Sequence, residues 1–87
     1  GLFEELRRLR KQVAADREVP PYIVFSDVAL RQMARDYPQT ERDFARISGV
    51  GQRKLAEFGE TFLGLIREFL GTHPRQIFAD DSFSRRS

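Results

Sequence analysis

The first two predicted helices are separated by the stretch Val19-Pro20-Pro21-Tyr22-Ile23-Val24-Phe25-Ser26-Asp27. Pro20 and Pro21 cannot continue a helix, and each disfavours helical geometry in the residue before it. Residues 22–25 are therefore predicted to form an extended connector whose apolar side chains fill the core, since the sequence offers no second strand for pairing. Ser26 is typical of a helix N-cap, and Asp27 is favourably placed in the first turn that follows.

Helices are predicted on both sides of this connector. Before it, apolar residues recur at three- and four-residue steps, which places them on one face of a helix ending near Arg17. These residues are Phe3, Leu6, Leu9 and Val13. After it, the second helix is expected to stop at Tyr37-Pro38. Thr40 then caps a short third helix, with Asp43 in the return position of a loose capping box.

The C-terminal half is predicted to contain two more helices. Residues 48–51 form a tight turn into a fourth helix, which is expected to end at Gly59 in the left-handed conformation. A fifth helix ends at Gly71 and Pro74, and residues 72–87 are predicted to be a polar tail or linker. Short helices without a strand pattern predict an all-α, orthogonal bundle of five short helices in one domain, residues 2–71.

Composition limits the class of protein. A chain of 87 residues suits one domain, and 40% hydrophobic with 32% charged residues is typical of a globular fold. The absence of cysteine excludes disulfides and thiolate metal sites. No stretch approaches the roughly 18 apolar residues of a membrane span. The net charge of +2 indicates a mixed surface that can hold a local basic patch.

Catalytic and metal sites are not indicated. The one histidine, His73, stands beside Pro74 in the predicted tail, where solvation is the simpler interpretation. The acidic pairs Glu4-Glu5 and Asp80-Asp81 do not converge on one site, because adjacent residues on a helix face different directions. No His, Cys or Asp cluster has metal-ligand spacing, and no glycine-rich loop follows a strand. We therefore expect no catalytic residue, metal or cofactor in this domain.

The turn between the predicted third and fourth helices is one candidate for nucleic-acid binding. Gly49 and Gly51 enclose one apolar residue and open a helix that carries Arg53 and Lys54. This arrangement resembles a helix-hairpin-helix, in which backbone amides at a helix N-terminus contact a phosphate. The alternative is that glycine serves only the turn geometry and close packing of the helices.

Two further candidates lie in the N-terminal half. Arg7 and Lys11 are one helical turn apart and can contact the same anion, although Glu4 can neutralise part of this face. Tyr22 is held stiffly after two prolines and can stack on a base, an interaction that contributes about 1–3 kcal/mol. The alternatives are a merely solvated charged face and a tyrosine that packs at the edge of the core with its hydroxyl in water.

These segments, taken in order, resemble the HRDC domain family. The opening segments are Leu2-Phe3, Leu6-Arg7-Arg8-Leu9-Arg10 and residues 19–27, and Tyr37-Pro38 continues the pattern. The later ones are Ile47-Ser48-Gly49-Val50-Gly51, Arg53-Lys54-Leu55 and Phe58-Gly59. The resemblance covers roughly residues 2 to 70, and the Pro-Pro-Tyr and Gly-Val-Gly motifs at this separation are more specific together than singly.

The resemblance implies a bundle of SAM-like topology that accompanies a catalytic module, most often in a bacterial RecQ-family DNA helicase and elsewhere in RNase D-like or UvrD-like proteins. It implies a non-catalytic, monomeric, cytoplasmic and nucleoid-associated domain, with ATP and magnesium belonging to the host motor. Weak binding of single-stranded or branched DNA, in repair and recombination, would involve Tyr22, Arg7, Arg10, Lys11, Arg53, Lys54, Gly49 and Gly51. The alternative is a docking module for the helicase core or another protein.

Overall fold

Five helices and their connecting turns make up residues 1–72, the part of the chain that the computed structural model describes. The helices are α1 (Leu2–Arg17), α2 (Pro21–Val24), α3 (Asp27–Asp36), α4 (Glu41–Phe44) and α5 (Gln52–Thr72). Residues 1–72 contain no strand, so the predicted all-α class is confirmed. His73, Pro74, the Asp80-Asp81 pair and all of the predicted tail except Thr72 lie outside the described residues.

Helix α1 ends where the sequence predicts. Glu18 adopts the left-handed conformation with φ 58° and ψ 45°, and its amide donates to the carbonyl of Ala15. The amide of Val19 donates to the carbonyl of Ala14 at 3.0 Å. These bonds satisfy carbonyls that the end of a helix leaves without partners. The buried face of α1 consists of Leu2, Leu6, Arg10 and Ala14, while Phe3, Leu9 and Val13 are half-buried beside it.

The connector after α1 is helical, which corrects the prediction of an extended segment. Pro21 occupies the first position of the one-turn helix α2, where a missing amide costs nothing and the fixed φ of proline suits the helix. Pro20 is the extended N-cap residue, and its carbonyl accepts from the amide of Ile23 at 3.0 Å. Of the predicted extended residues 22–25, only Phe25 is extended, with φ −151° and ψ 148°. Val24 and Phe25 fill the core as predicted, whereas Tyr22 and Ile23 are exposed, because successive residues of a helical turn point in different directions.

The two predicted N-caps are confirmed. The Ser26 hydroxyl accepts from the Ala29 amide at 3.1 Å at the start of α3. The Thr40 hydroxyl accepts from the Asp43 amide at 3.1 Å at the start of α4. Each bond satisfies an amide that the helix itself leaves unpaired. Tyr37, in the left-handed conformation at φ 50°, ends α3 immediately before Pro38, as predicted.

The predicted fourth and fifth helices are one continuous helix, α5, and the prediction that Gly59 ends a helix is wrong. Gly59 lies within α5, and Gly49 is the only glycine with positive φ in residues 1–72. Glycine inside a helix costs about 1 kcal/mol relative to alanine. Burial of apolar side chains both before and after Gly59 outweighs that cost; they are Phe58, Phe62, Leu63 and Ile66.

Three edge-to-face ring contacts meet at Phe25 in the centre of the core. Its ring centroid lies 5.8 Å from that of Phe44, 5.7 Å from that of Phe58 and 4.9 Å from that of Phe62. Helix α1 packs against α2, α3 and α5, and α4 packs against α5. Phe25, which follows α2 directly, therefore fixes that short helix to the core through aromatic contacts with α4 and α5.

Replacing Gly64 by alanine is expected to stabilise the domain by about 0.5–1 kcal/mol. Gly64 is exposed in the interior of α5, and a Cβ atom built there meets nothing within 4 Å. The free energy of unfolding, measured by urea denaturation, checks this. As the matched control, Gly49→Ala is expected to destabilise the domain because Gly49 has φ +83°. A Gly64→Ala variant less stable than the parent would contradict the prediction.

Candidate nucleic-acid interface

Tyr22 projects from α2 with 68% of its surface exposed. The two prolines before it fix the start of this single turn, and the buried Val24 and Phe25 after it anchor the end. Pro21 and Ile23, its immediate neighbours, line two different grooves. The ring is therefore accessible to a base, and Tyr22 stands in the chain between residues that line two grooves.

The first groove, here called the α1 groove, has a volume of about 370 Å³. Its lining residues are Glu4, Arg7, Arg8, Arg10, Lys11 and Pro21. Arg8 is paired with Glu5 at 2.6 Å, and Arg7 approaches Glu4 at 3.8 Å. Lys11 forms no ion pair with any residue in the range 1–72. The structure thus brings Arg7 and Lys11 together in one groove, next to the helix that carries Tyr22.

The second groove, here called the α5 groove, has a volume of about 410 Å³ and also contains predicted site residues. Its lining residues are Arg17, Val19, Ile23, Arg53, Lys54, Glu57 and Phe58. The Arg17 guanidinium carbon lies 4.9 Å from the centroid of the Phe58 ring, and Arg17 pairs with Glu57 at 3.5 Å. Arg53 and Lys54 therefore share a groove with an arginine that the sequence motifs did not indicate.

The turn before α5 places two glycines in different conformations. Gly49 has φ +83°, which only glycine adopts at little cost, while Gly51 accepts a hydrogen bond from the Leu55 amide at 2.9 Å. Gly51 precedes α5 and has no side chain to cap the amides of its first turn. Val50 between them is buried. The turn geometry explains Gly49, and the uncapped first turn of α5 is compatible with the phosphate contact expected of this motif.

Arg10 differs from the other predicted site residues because it lies in the interior, with 9% of its surface exposed. Its Nη1 donates to the carbonyl oxygen of Phe25 at 3.0 Å and lies 2.8 Å from a carboxylate oxygen of Asp27. Arg10 contributes to the lining of the α1 groove, but its guanidinium is bound to protein groups, so we leave Arg10 out of the proposed interface. The spacing Leu2, Leu6, Arg10, Ala14 was the signal that could have revealed this burial.

Arg31 is a second cation that the sequence motifs did not indicate. Its guanidinium carbon lies 5.2 Å from the centroid of the Phe3 ring, and that of Arg7 lies 5.9 Å from the same centroid. Both distances fall within the range of a cation–π interaction. Arg31 belongs to α3 and Arg7 to α1, so only the packing of these helices brings them to one ring.

No group of three or more His, Cys, Asp or Glu side chains in residues 1–72 is arranged to hold a metal ion. None of the helices in that range combines the length and the apolar character needed to cross a bilayer.

Comparison with known proteins identifies relatives over most of the chain. Residues 1–66 match the HRDC domain family. The chain is 48% identical over 67 residues to the ATP-dependent DNA helicase RecQ of Haemophilus influenzae, covering 77% of this chain and 11% of that protein. It is 43% identical over 68 residues to RecQ of Bacillus subtilis, covering 78% and 12%.

A different helicase also matches. The ATP-dependent DNA helicase UvrD2 of Mycobacterium tuberculosis is 35% identical over 66 residues, which is 76% of this chain and 9% of that protein. The aligned segment thus spans about a tenth of the length of each of these relatives.

Proposed function

The chain belongs to the HRDC domain family, and from that premise we propose that it is a non-catalytic accessory domain of a RecQ-type DNA helicase that binds single-stranded or branched DNA weakly. Its role would be to tune which DNA the attached motor engages during repair and recombination in the bacterial cytoplasm, at the nucleoid. ATP and magnesium would act in the motor, and this domain would need no cofactor.

The observation that carries the proposal is the position of Tyr22, an exposed ring whose chain neighbours line two grooves that both contain cations. A base can stack on such a ring whatever its sequence. Arg7 and Lys11 in one groove, and Arg53 and Lys54 in the other, would then hold backbone phosphates. Domains that bind single strands without sequence preference combine basic grooves with aromatic side chains on which bases stack.

The affinity should be modest and sensitive to salt. Few cations are available, and the logarithm of the binding constant falls by about 0.7 per phosphate contact for each log unit of salt. A weak site is sufficient here because attachment to a motor raises its effective concentration at the DNA.

Tyr22→Ala is expected to weaken binding to a fluorescently labelled single-stranded oligonucleotide by about 5- to 150-fold, the equivalent of about 1–3 kcal/mol for one stacked base. Tyr22→Phe keeps the ring and should bind like the parent. Val28→Ala, which truncates another exposed apolar side chain at 65% exposure, should also bind like the parent. Fluorescence anisotropy at low and moderate salt measures all four proteins.

Absence of saturable binding by the parent at low salt would exclude direct DNA contact. The alternative function, a docking module for the helicase core or another protein, would then be preferred. Ile23 at 45% exposure and Val28 at 65% would be the apolar side chains to replace in a test of that alternative, because they are exposed to water.

A further inference from the structure

We propose that a bound single strand continues from the α1 groove to α3, where Arg7 and Arg31 together hold a backbone phosphate beside the Phe3 ring. This inference rests on the proposed function and adds to it a second contact point on a different helix. It assigns Arg31, which belongs to none of the motifs in the sequence, to the DNA-binding surface.

The Phe3 ring lies within cation–π distance of two guanidinium groups from different helices. Their carbon atoms lie 5.9 Å (Arg7) and 5.2 Å (Arg31) from the same ring centroid. The half-buried ring attracts both cations and limits their motion. A phosphate matches the planar donor fork that each arginine presents. The pair is therefore partly preorganised for a phosphate before any ligand arrives.

Nearby carboxylates distinguish Arg31 from three other arginines on α1 and α3. Arg7 lies 3.8 Å from the Glu4 carboxylate, and both side chains of that pair are more than half exposed. Arg8 pairs with Glu5 at 2.6 Å, and Arg35 bonds both carboxylate oxygens of Asp36, at 2.9 and 3.3 Å. The hydrogen bond from Arg35 lowers the pKa of Asp36 below its ordinary value, as expected for a tight pair. Within residues 1–72, Arg31 has no carboxylate partner, so its charge is available to an external anion.

Position connects this pair with the rest of the interface. Arg7 lines the α1 groove together with Lys11 and Pro21, and Pro21 precedes the exposed Tyr22. A strand stacked on Tyr22 and held by Lys11 therefore meets Arg7 next and Arg31 after it. Such a path requires a longer oligonucleotide than stacking on Tyr22 alone, and this length requirement is what the experiment can test.

The test compares the DNA affinity of Arg31→Gln with that of the matched control Arg35→Gln, which lies one turn away on the same helix. The ligands are oligothymidylates of about 4 and about 16 nucleotides, because the site sizes of small single-strand-binding domains span that range. Arg31→Gln is expected to weaken binding of the longer strand by about two- to fivefold, the effect of one exposed ion pair. It should also reduce the salt slope by about 0.7. Binding of the short strand, and all binding by Arg35→Gln, should match the parent.

Two further outcomes would overturn the inference while leaving the proposed function intact. The first is equal behaviour of the two arginine variants on the longer strand, while Tyr22→Ala still weakens binding. The second is an NMR titration in which inorganic phosphate alone saturates the Arg31 resonances, at phosphate concentrations that leave DNA binding unchanged. That result would indicate that Arg31 binds free phosphate rather than the DNA backbone. If the parent binds neither oligonucleotide, the proposed function itself fails.

A second variant separates the ring from the charges. Phe3→Leu keeps an apolar side chain against the core but removes the ring that orders both guanidinium groups. Phe3→Leu should weaken binding of the longer strand less than Arg31→Gln does. Its melting temperature should stay close to that of the parent. An unchanged affinity in a folded Phe3→Leu variant would show that the ring has no part in the site.

Discussion

Replacing Phe25 by alanine is expected to lower the free energy of unfolding by about 3–5 kcal/mol, the largest effect of any single change considered for this domain. The side chain is fully buried and contacts three other phenylalanine rings edge to face. Truncation would remove those contacts and leave a cavity between α4, α5 and the end of α2. Small domains have a total stability of only about 5–15 kcal/mol, so this variant should be close to unfolding.

Urea denaturation followed by far-ultraviolet circular dichroism measures the loss. Phe25→Leu provides the comparison, because it retains most of the apolar volume and should lose clearly less stability than the alanine variant. The denaturant slope should stay near that of the parent if both variants still unfold in one step. If Phe25→Ala lowered the free energy of unfolding by less than about 1 kcal/mol, the surrounding rings would have moved into the vacated space, which would contradict close packing around Phe25.

Replacing Arg10 by alanine is the second large expected effect, a loss of about 2–4 kcal/mol. The Arg10 head group joins α1 to the carbonyl of Phe25 and to Asp27 at the start of α3. Without it, the buried carbonyl loses its side-chain donor and the space of the long side chain is left empty. The loss should be smaller than for a fully buried ion pair, because the Asp27 side chain is 63% exposed and water can solvate it.

Arg10→Met separates packing from polar contact. Methionine keeps much of the apolar stem while removing the head group, together with a buried Nε atom that has no partner in residues 1–72. Arg10→Met should therefore lose only about half as much free energy of unfolding as Arg10→Ala. Arg8→Ala is the control on the same helix, since its pair with Glu5 is exposed and contributes little. Equal melting temperatures for Arg8→Ala and Arg10→Ala would contradict the assigned role of Arg10.

Local sequence signals predicted most of the fold. The caps at Ser26 and Thr40 and the stop at Tyr37-Pro38 depend on hydrogen bonds and steric limits within a few residues, so they could be found without tertiary information. The prediction for Gly59 failed because a glycine penalty of about 1 kcal/mol is smaller than the gain from burying an apolar face on both sides of it. The extended connector failed because proline suits the first position of a helix as well as an extended segment.

The candidate site was predicted in part. The Pro-Pro-Tyr motif led to Tyr22, and the structure exposes that ring, whose chain neighbours line the two grooves. The family resemblance implies a DNA contact for Arg10, yet its helical position turns it inward. Arg31 and Arg17 were missed because each meets its aromatic partner across helices, at Phe3 and Phe58.

The sequence by itself determined the all-helical class and the helix caps, because these follow from local hydrogen bonding and from the period of apolar residues. Only the tertiary structure decided that Arg10 is buried, that α5 runs unbroken through Gly59, and that Arg7 and Arg31 share the Phe3 ring. These features depend on contacts between residues distant in sequence, and the energy of such contacts outweighs the local preferences that a sequence pattern records.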